Sequence, residues 1–283
     1  MLPLNPGYHP GTVTCHSQPE TIAQVARALH KTSRTIVLVP TRGKLHAGHR
    51  GVIEMAARVP GSVVIVAAVS PDNSHLESRG ADVAFLGDMQ HPNVALYFSP
   101  DYSVLFPHGT RTHVTTEFPN EGLVPPPGLD EAITRHLALI QIIQPDRVFV
   151  GERDFHQLVA LRHTFRDLSL PATITAVNTL RDSNGMALDQ HNQDEYFAPV
   201  LALSAALVAG AHSVRFGKEA VVNAARGVLE AEPRLHNISV KLVDYDLQVA
   251  PPEGDTRLLV TAELADGTYC HDNVGLLISP TEG

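Results

Sequence analysis

With 283 residues, 43 % of them hydrophobic and 18 % charged, the chain is long enough for two modest domains and has an ordinary globular composition. Its net charge of -9 argues against broad contact with a phosphate backbone, so no nucleic acid partner is expected, although a single nucleotide needs only a local cradle. Two cysteines far apart, Cys15 and Cys270, argue against a disulfide framework or a cysteine zinc site; without a spanning apolar run or a secretory leader, a cytoplasmic location and no membrane contact are expected.

Residues 1–11 are rich in Pro and Gly and read as an irregular arm. Ile22, Val25, Ala26 and Leu29 fall at i, i+3, i+4 and i+7, which predicts an amphipathic helix over Pro19–Lys31. Thr35–Val39 is a β-branched and aliphatic run that reads as a strand buried on both faces, ended by Pro40, with a bend at Gly43. Helical spacing resumes near Gly48, through Val52, Ile53 and Met55–Ala57. A second buried strand is predicted at Ser62–Val69 and a third at Val94–Phe98, while 70–89 shows no assignable period. The proline-rich stretch from Phe106 to Gly128 reads as loop with one strand, Thr112–Thr116. Leu129–Gln144 is a predicted helix stopped by Pro145-Asp146; Arg147–Val150 is a strand, His156–Leu168 a helix and Thr173–Leu180 a strand.

The polar hinge Asn184-Gly185 suggests domains of 1–184 and 185–283. Beyond it come helices near Pro199–Ala211 and Lys218–Ala231, then strands Ser239–Tyr245, Arg257–Leu264 and Val274–Ile278, with turns at Pro251–Gly254 and Ala265–Gly267. Strands buried on both faces and alternating with helices call for a parallel sheet with right-handed crossovers. The expected fold class is therefore α/β, a Rossmann-like doubly wound parallel sheet with a smaller C-terminal α+β domain.

A strand, a short loop and a helix start form a ready anion site, because unpaired N–H groups and the helix dipole face the loop. His46 and His49 stand where that loop enters the helix, placed to donate to phosphate oxygens. Two exposed loop histidines are the competing reading in a chain with 16 His. The spacing His46-Ala47-Gly48-His49 resembles the HxGH signature of the nucleotidyltransferase superfamily that includes class I aminoacyl-tRNA synthetases. PTRGKLHAGHRGVI is similar to PTMGxLHxGHxxL of the pantothenate synthetases, the pantoate–β-alanine ligases. IQIIQPDRVFVGERDFHQLVALR resembles their QxxxPDxxxFGEKDxQQL, PHGTRTHV their YPxGxxTxV, and TRLLVTAELADGTYCHDNVGLLI their C-terminal strand pair closing on Leu-Ile-Asp-Asn. The resemblance runs from Cys15 to Ile278.

It implies an ATP-dependent ligase working with Mg2+, a small-molecule acid and an amine as substrates, and a homodimer. By the same resemblance His46, His49 and Arg153 are catalytic. Pro40, Thr41, Gly43, Gly48, Gly151 and Asp154 bind the nucleotide, with Asp154 on its ribose; Arg42, where the family has Met, and Asp189, Gln190 and His191 of the phosphate-gripping loop are nucleotide-binding too, and Asn73 and Gln157 bind the acid. No residue is assigned to a protein-held metal site.

The departures are equally specific. Arg153 replaces a lysine, exchanging a point charge for a planar fork. Asn73 stands one methylene shorter than the glutamine of FVNPxQF, and the histidine of HFxGV is missing from the matching GLDEA at Gly128–Ala132. The phosphate-gripping MSSRN loop reads Leu188-Asp189-Gln190-His191-Asn192, which puts a carboxylate where the family has hydroxyls and a guanidinium. Near a triphosphate Asp189 would be repulsive unless Mg2+ intervenes. Arg42, or Lys44, in the HxGH loop would supply a replacement cation. The expected function is amide formation from a small carboxylic acid, pantoate or an analogue, and an amine, β-alanine or an analogue, through an acyl-adenylate. The alternative is a diverged paralogue that binds nucleotide or acid without ligase activity, and a nucleotidyltransferase sharing only the HxGH loop ranks third.

Overall fold

A computed structural model describes residues 11–118, 120, 122–188 and 197–278. The N-terminal arm up to Pro10 lies outside them. In chain order the elements are β1 (Thr14–His16), α1 (Pro19–Lys31), β2 (Thr35–Thr41), α2 (Ala47–Ala57), β3 (Ser62–Ala68), α3 (Ser74–Asp88), β4 (Val94–Phe98), α4 (Tyr102–Leu105), α5 (Leu129–Ile143), β5 (Arg147–Gly151), α6 (Phe155–Asp167), β6 (Thr173–Val177), α7 (Phe197–His212), α8 (Lys218–Glu230), β7 (His236–Val243), β8 (Gly254–Glu263) and β9 (Tyr269–Ile278).

The chain divides into two units. The first holds the residues as far as Thr115 together with Asp130–Gly151 and Leu161–Val177; the second holds Thr116–Leu129, Glu152–Ala160 and the chain from Asn178 onward. In the first unit six parallel strands run in the order β1-β4-β3-β2-β5-β6. The direction of winding reverses between β2 and β5, and open α/β sheets bind ligands beyond the carboxyl ends of their strands at such a reversal. β3 is buried along its whole length, and one core cluster joins Val37 and Val39 of β2 to Ile53, Ala56 and Ala57 of α2. The predicted face of α1 is the buried one, with Ile22, Val25, Ala26 and Leu29 inside.

Pro40 does not end its strand; β2 continues through Thr41, paired Pro40 to Ala67 and Thr41 to Ala68 of β3. The N–H and C=O of Ile36 both bond to Asp146 on the β5 side, so Leu38 and Pro40 point that way as well. Pairing with β5 stops at Leu38, and the missing N–H of Pro40 therefore removes no ladder bond. Residues 112–116 form no strand: they are mostly exposed, and the Val114 N–H donates to the Thr134 hydroxyl at 2.9 Å. β6 ends at Val177, short of the predicted Leu180, because its partner β5 ends at the opposing Gly151.

The second unit contains an antiparallel sheet, β7-β8-β9. β8 and β9 pair over ten residues each, from Gly254 opposite Ile278 to Glu263 opposite Tyr269, longer than predicted. Leu203, Ala206 and Leu207 of α7 and Val221, Ala225 and Leu229 of α8 share a buried cluster with Val240, Leu258, Val260 and Ile278 of this sheet.

Candidate active site

The loop between β2 and α2 is held from below by buried polar groups. Asp82 of α3, 2 % exposed, accepts from the Leu45 N–H at 2.7 Å, from Ser78 at 2.9 Å and from the Tyr97 hydroxyl at 2.7 Å. The Ser78 hydroxyl takes the Lys44 N–H at 3.0 Å. Gly43 has φ +106, and a Cβ built there would collide with the His75 side chain and lie 2.7 Å from its Cα. Only glycine fits both the backbone conformation and that approach. His75 is itself fixed: Nε2 donates to the Pro100 carbonyl at 2.8 Å and Nδ1 accepts the Ser70 N–H at 3.1 Å. Burial pushes its pKa down, so it stays neutral and structural.

On that platform His46 is the N-cap residue of α2, extended at φ -140 and ψ 177, and its side chain makes no capping bond. The first turn carries no acidic residue either, so nothing from the helix itself neutralises its N-terminal end. The rings of His46 and His49 lie 3.9 Å apart at 38°. Burial, and then the charge of His46, press the His49 pKa down to about 3, which keeps that ring neutral at physiological pH. His49 Nδ1 is buried without a hydrogen-bond partner. An uncapped helix start beside a neutral imidazole suits an anion with oxygen acceptors.

Pro40 and buried Thr41 form the end of β2; the Thr41 carbonyl accepts the Val69 N–H at 3.2 Å, and exposed Arg42 follows. Gly48 lies in the first turn of α2, and Gly151 closes β5, where an added Cβ would touch Val52 of α2. Asn73 caps α3 in the left-handed region at φ 59, and its Oδ1 accepts the Tyr102 N–H at 2.8 Å. Asn tolerates that conformation better than most residues. These residues and the histidine pair all belong to the first unit, at the carboxyl ends of β2, β3 and β5.

Arg153, Asp154 and Gln157 belong to the second unit. Asp154 Oδ1 accepts the Gln157 N–H at 3.2 Å, an N-cap for α6, and Arg153 donates to the His271 carbonyl of β9 at 3.3 Å. The Asn273 carboxamide donates to the carbonyls of Glu152 at 3.0 Å and Arg153 at 2.7 Å, fixing the loop. Arg257 of β8 binds Glu152 at 3.0 Å and Asn273 Oδ1 at 2.6 Å, with its guanidinium 4.2 Å above the Phe155 ring. Asp272, buried, takes a two-pronged pair from Arg181 at 2.7 and 2.8 Å. Asp189, Gln190 and His191 lie outside the described residues.

Sequence reading missed this supporting set. His75 and Asp82, seven apart in sequence, are two helical turns apart on one face of α3, a spacing that signals a buried polar face. Asp272-Asn273 interrupt a strand with two buried polar side chains on opposite faces.

An open parallel sheet with a His-x-Gly-His helix start at its switch point defines a Rossmann-like α/β protein of the nucleotide-binding class. Residues 14–274 match the family model for pantoate-beta-alanine ligase. The chain is 36 % identical over 296 residues to the pantothenate synthetase of Mycobacterium avium (strain 104), covering 99 % of this chain and 94 % of that one. The crystal structure of pantothenate synthetase from Thermus thermophilus superposes with a TM-score of 0.78 at 24 % identity, over 95 % of this chain and 100 % of the other. A pantoate-beta-alanine ligase from Francisella tularensis shares the fold at TM-score 0.69 and 19 % identity, over 93 % and 97 % of the two chains. The chain belongs to the pantoate–β-alanine ligase family.

Proposed function

We propose that this protein is an ATP-dependent ligase that joins a small carboxylic acid of the pantoate kind to an amine of the β-alanine kind. The observation that carries the proposal is His49, neutral, with a buried ring nitrogen that has no partner, at an uncapped helix start on the sheet's switch point. Family membership supplies the reaction class. The Francisella tularensis structure is described as a complex with beta-gamma ATP and beta-alanine.

The acid's carboxylate oxygen attacks the α-phosphorus of ATP, and the bond to the bridging oxygen breaks to release pyrophosphate. The amine then attacks the acyl carbonyl, AMP leaves and the amine loses a proton. His46 and His49 donate to oxygens on which charge builds during the first step, a contribution larger in the transition state than in the bound substrate. The backbone of Pro40–Gly43, with Gly48 and Gly151, cradles the nucleotide; Arg42 and Arg153 face its phosphates and Asp154 its ribose. Asn73 and Gln157 orient the acid, and Asp189, Gln190 and His191 occupy the sequence positions of the family's phosphate-gripping loop. Correspondence to family motif positions supports these roles for His46, His49, Gly48, Asp154 and Gln157, while Arg42, where the family has Met, is assigned as a replacement cation. Mg2+, when bound, neutralises phosphate charge. Among the described residues no group of three or more His, Cys, Asp or Glu is placed to hold a metal.

Membership of the family also supports a homodimer, which sedimentation velocity tests. No helix among the described residues is long and apolar enough to cross a membrane, and cytoplasmic work remains a proposal. The deciding measurement for the ligase is pyrophosphate release from ATP with Mg2+: it must depend on an added acid, and AMP release must rise when an amine is supplied. Acid or ATP binding with no pyrophosphate from any acid would establish a binding protein instead.

A further inference from the structure

The largest fully buried side chain among the described residues is a cation whose one anionic partner is distant and half exposed. Arg135 of α5 is 2 % exposed. Its Nε and Nη2 are buried and have no hydrogen-bond partner. Nη1 reaches only Glu131 Oε1, at 3.4 Å, one turn back on the same helix, and that carboxylate is 40 % exposed. A guanidinium stays charged in a protein and presents five N–H donors in a planar fork, of which this long contact engages one.

The surroundings sharpen the mismatch. Arg42, following β2, adds charge of the same sign, and the carboxylate of Glu131 pulls the other way. His136, beside Arg135 and also 2 % exposed, is held neutral by burial and by these two arginines. Tyr102, also near Arg135, is the residue whose N–H Asn73 accepts. Arg135 thus shares a neighbourhood with the end of β2 and with the residue assigned to the acid, all within the first unit.

We propose that Arg135 forms a subsite for a second anionic group, carboxylate or phosphate, on the acid substrate; this rests on the ligase reading. The reacting carboxylate cannot serve, because its charge is consumed when the acyl-adenylate forms and a fork clamped on it would restrain the attacking oxygen. A hydroxy monocarboxylic acid such as pantoate would leave the fork empty throughout. An acid with a second anion would fill it with two parallel N–H···O bonds, the geometry guanidinium offers both carboxylates and phosphates.

The test is titration calorimetry of the full chain with pantoate, malate and 3-phosphoglycerate. Malate or 3-phosphoglycerate is expected to bind at least about tenfold more tightly than pantoate, the effect of one charge-assisted contact, and whichever wins names the anion. Arg135→Leu should remove that advantage and leave pantoate nearly unchanged. Arg135→Gln carries the same comparison if the Leu variant does not fold. Pantoate binding as tightly as both malate and 3-phosphoglycerate, or affinity for those two that survives loss of the guanidinium, overturns the subsite. Pyrophosphate release on the same acids reads the ligase separately. Tight, Arg135-dependent binding with no pyrophosphate sinks the ligase and keeps the subsite; turnover of pantoate alone, with malate and 3-phosphoglycerate inert, does the reverse.

Discussion

At the end of β2 the helix start is uncapped and one ring nitrogen of His49 has no partner, and on α5 two nitrogens of the buried Arg135 guanidinium have none. After β5, by contrast, the loop Glu152-Arg153-Asp154 is gripped by Asn273, Arg257 and the His271 carbonyl, and nearby Arg181 is matched by Asp272. Both regions use histidine, arginine and short polar side chains. In the second most of the polar groups bond one another, although Arg257 Nε and His156 Nε2 are buried there without a hydrogen-bond partner, so the set contributes to folding. In the first they are buried without full compensation, which costs stability and is sustained where a ligand completes the set. Substitutions should therefore register as lost stability in one region and as lost chemistry in the other.

The largest effect is expected from Asp272→Ala. It strands Arg181, which is 24 % exposed and keeps the Gly185 and Asn273 carbonyls, so the loss should fall near the low end for a broken buried pair, about 3 kcal/mol. Urea unfolding measures it. An unchanged unfolding free energy would erase the distinction between the regions. Next come His46→Ala and His49→Ala, each expected to slow pyrophosphate release by roughly 10²–10³-fold, the loss typical of one transition-state donor. Urea midpoints should move little, since His46 caps α2 without a side-chain capping bond and His49 in its first turn is not among the buried core residues. Variants that lose stability and keep their rate would make the histidine pair structural.

How much of this was legible in the sequence depended on what each residue buries. α1 and the central strands were readable because their buried positions are apolar: Ile22, Val25, Ala26 and Leu29, then Ile36 to Val39 and Val63 to Val69. α3 was not, because His75 and Asp82 are two of its three buried residues, and an inward polar face cancels the hydrophobic period. β1 escaped because it has three residues and no apolar run. β9 was seen only from Val274 onward, since the inward-facing Asp272 and buried Asn273 make its first half read as loop. Of the candidate site, the His pair was legible from spacing and the Arg153–Gln157 loop from its likeness to the family motif. The groups that hold them, Asp82, Arg257 and Asn273, come from distant segments, and no local period announces such partners.

The smallest effect concerns a buried histidine and acid pH. His136 on α5 has a buried Nδ1 with no partner, and burial, then the positive charges of Arg135 and Arg42, press its pKa down to about 3. In the unfolded chain the same ring titrates near its ordinary 6.5. Above that value both states leave it neutral and it contributes its full share. Between about 6.5 and 3 the unfolded state binds a proton that the folded state refuses, so stability must fall as the pH falls. One group contributes about 1 kcal/mol between pH 6.5 and 5.5. His136→Leu removes the proton site, and its unfolding free energy should lose about 1 kcal/mol less than the parent's over that interval. His156, in the second unit, is pushed to about 4 by burial although Asp154 opposes the shift, so its contribution stops growing near pH 4 while that of His136 runs on toward 3. Parallel pH profiles for the parent and His136→Leu would mean that the ring is already open to water in the folded protein.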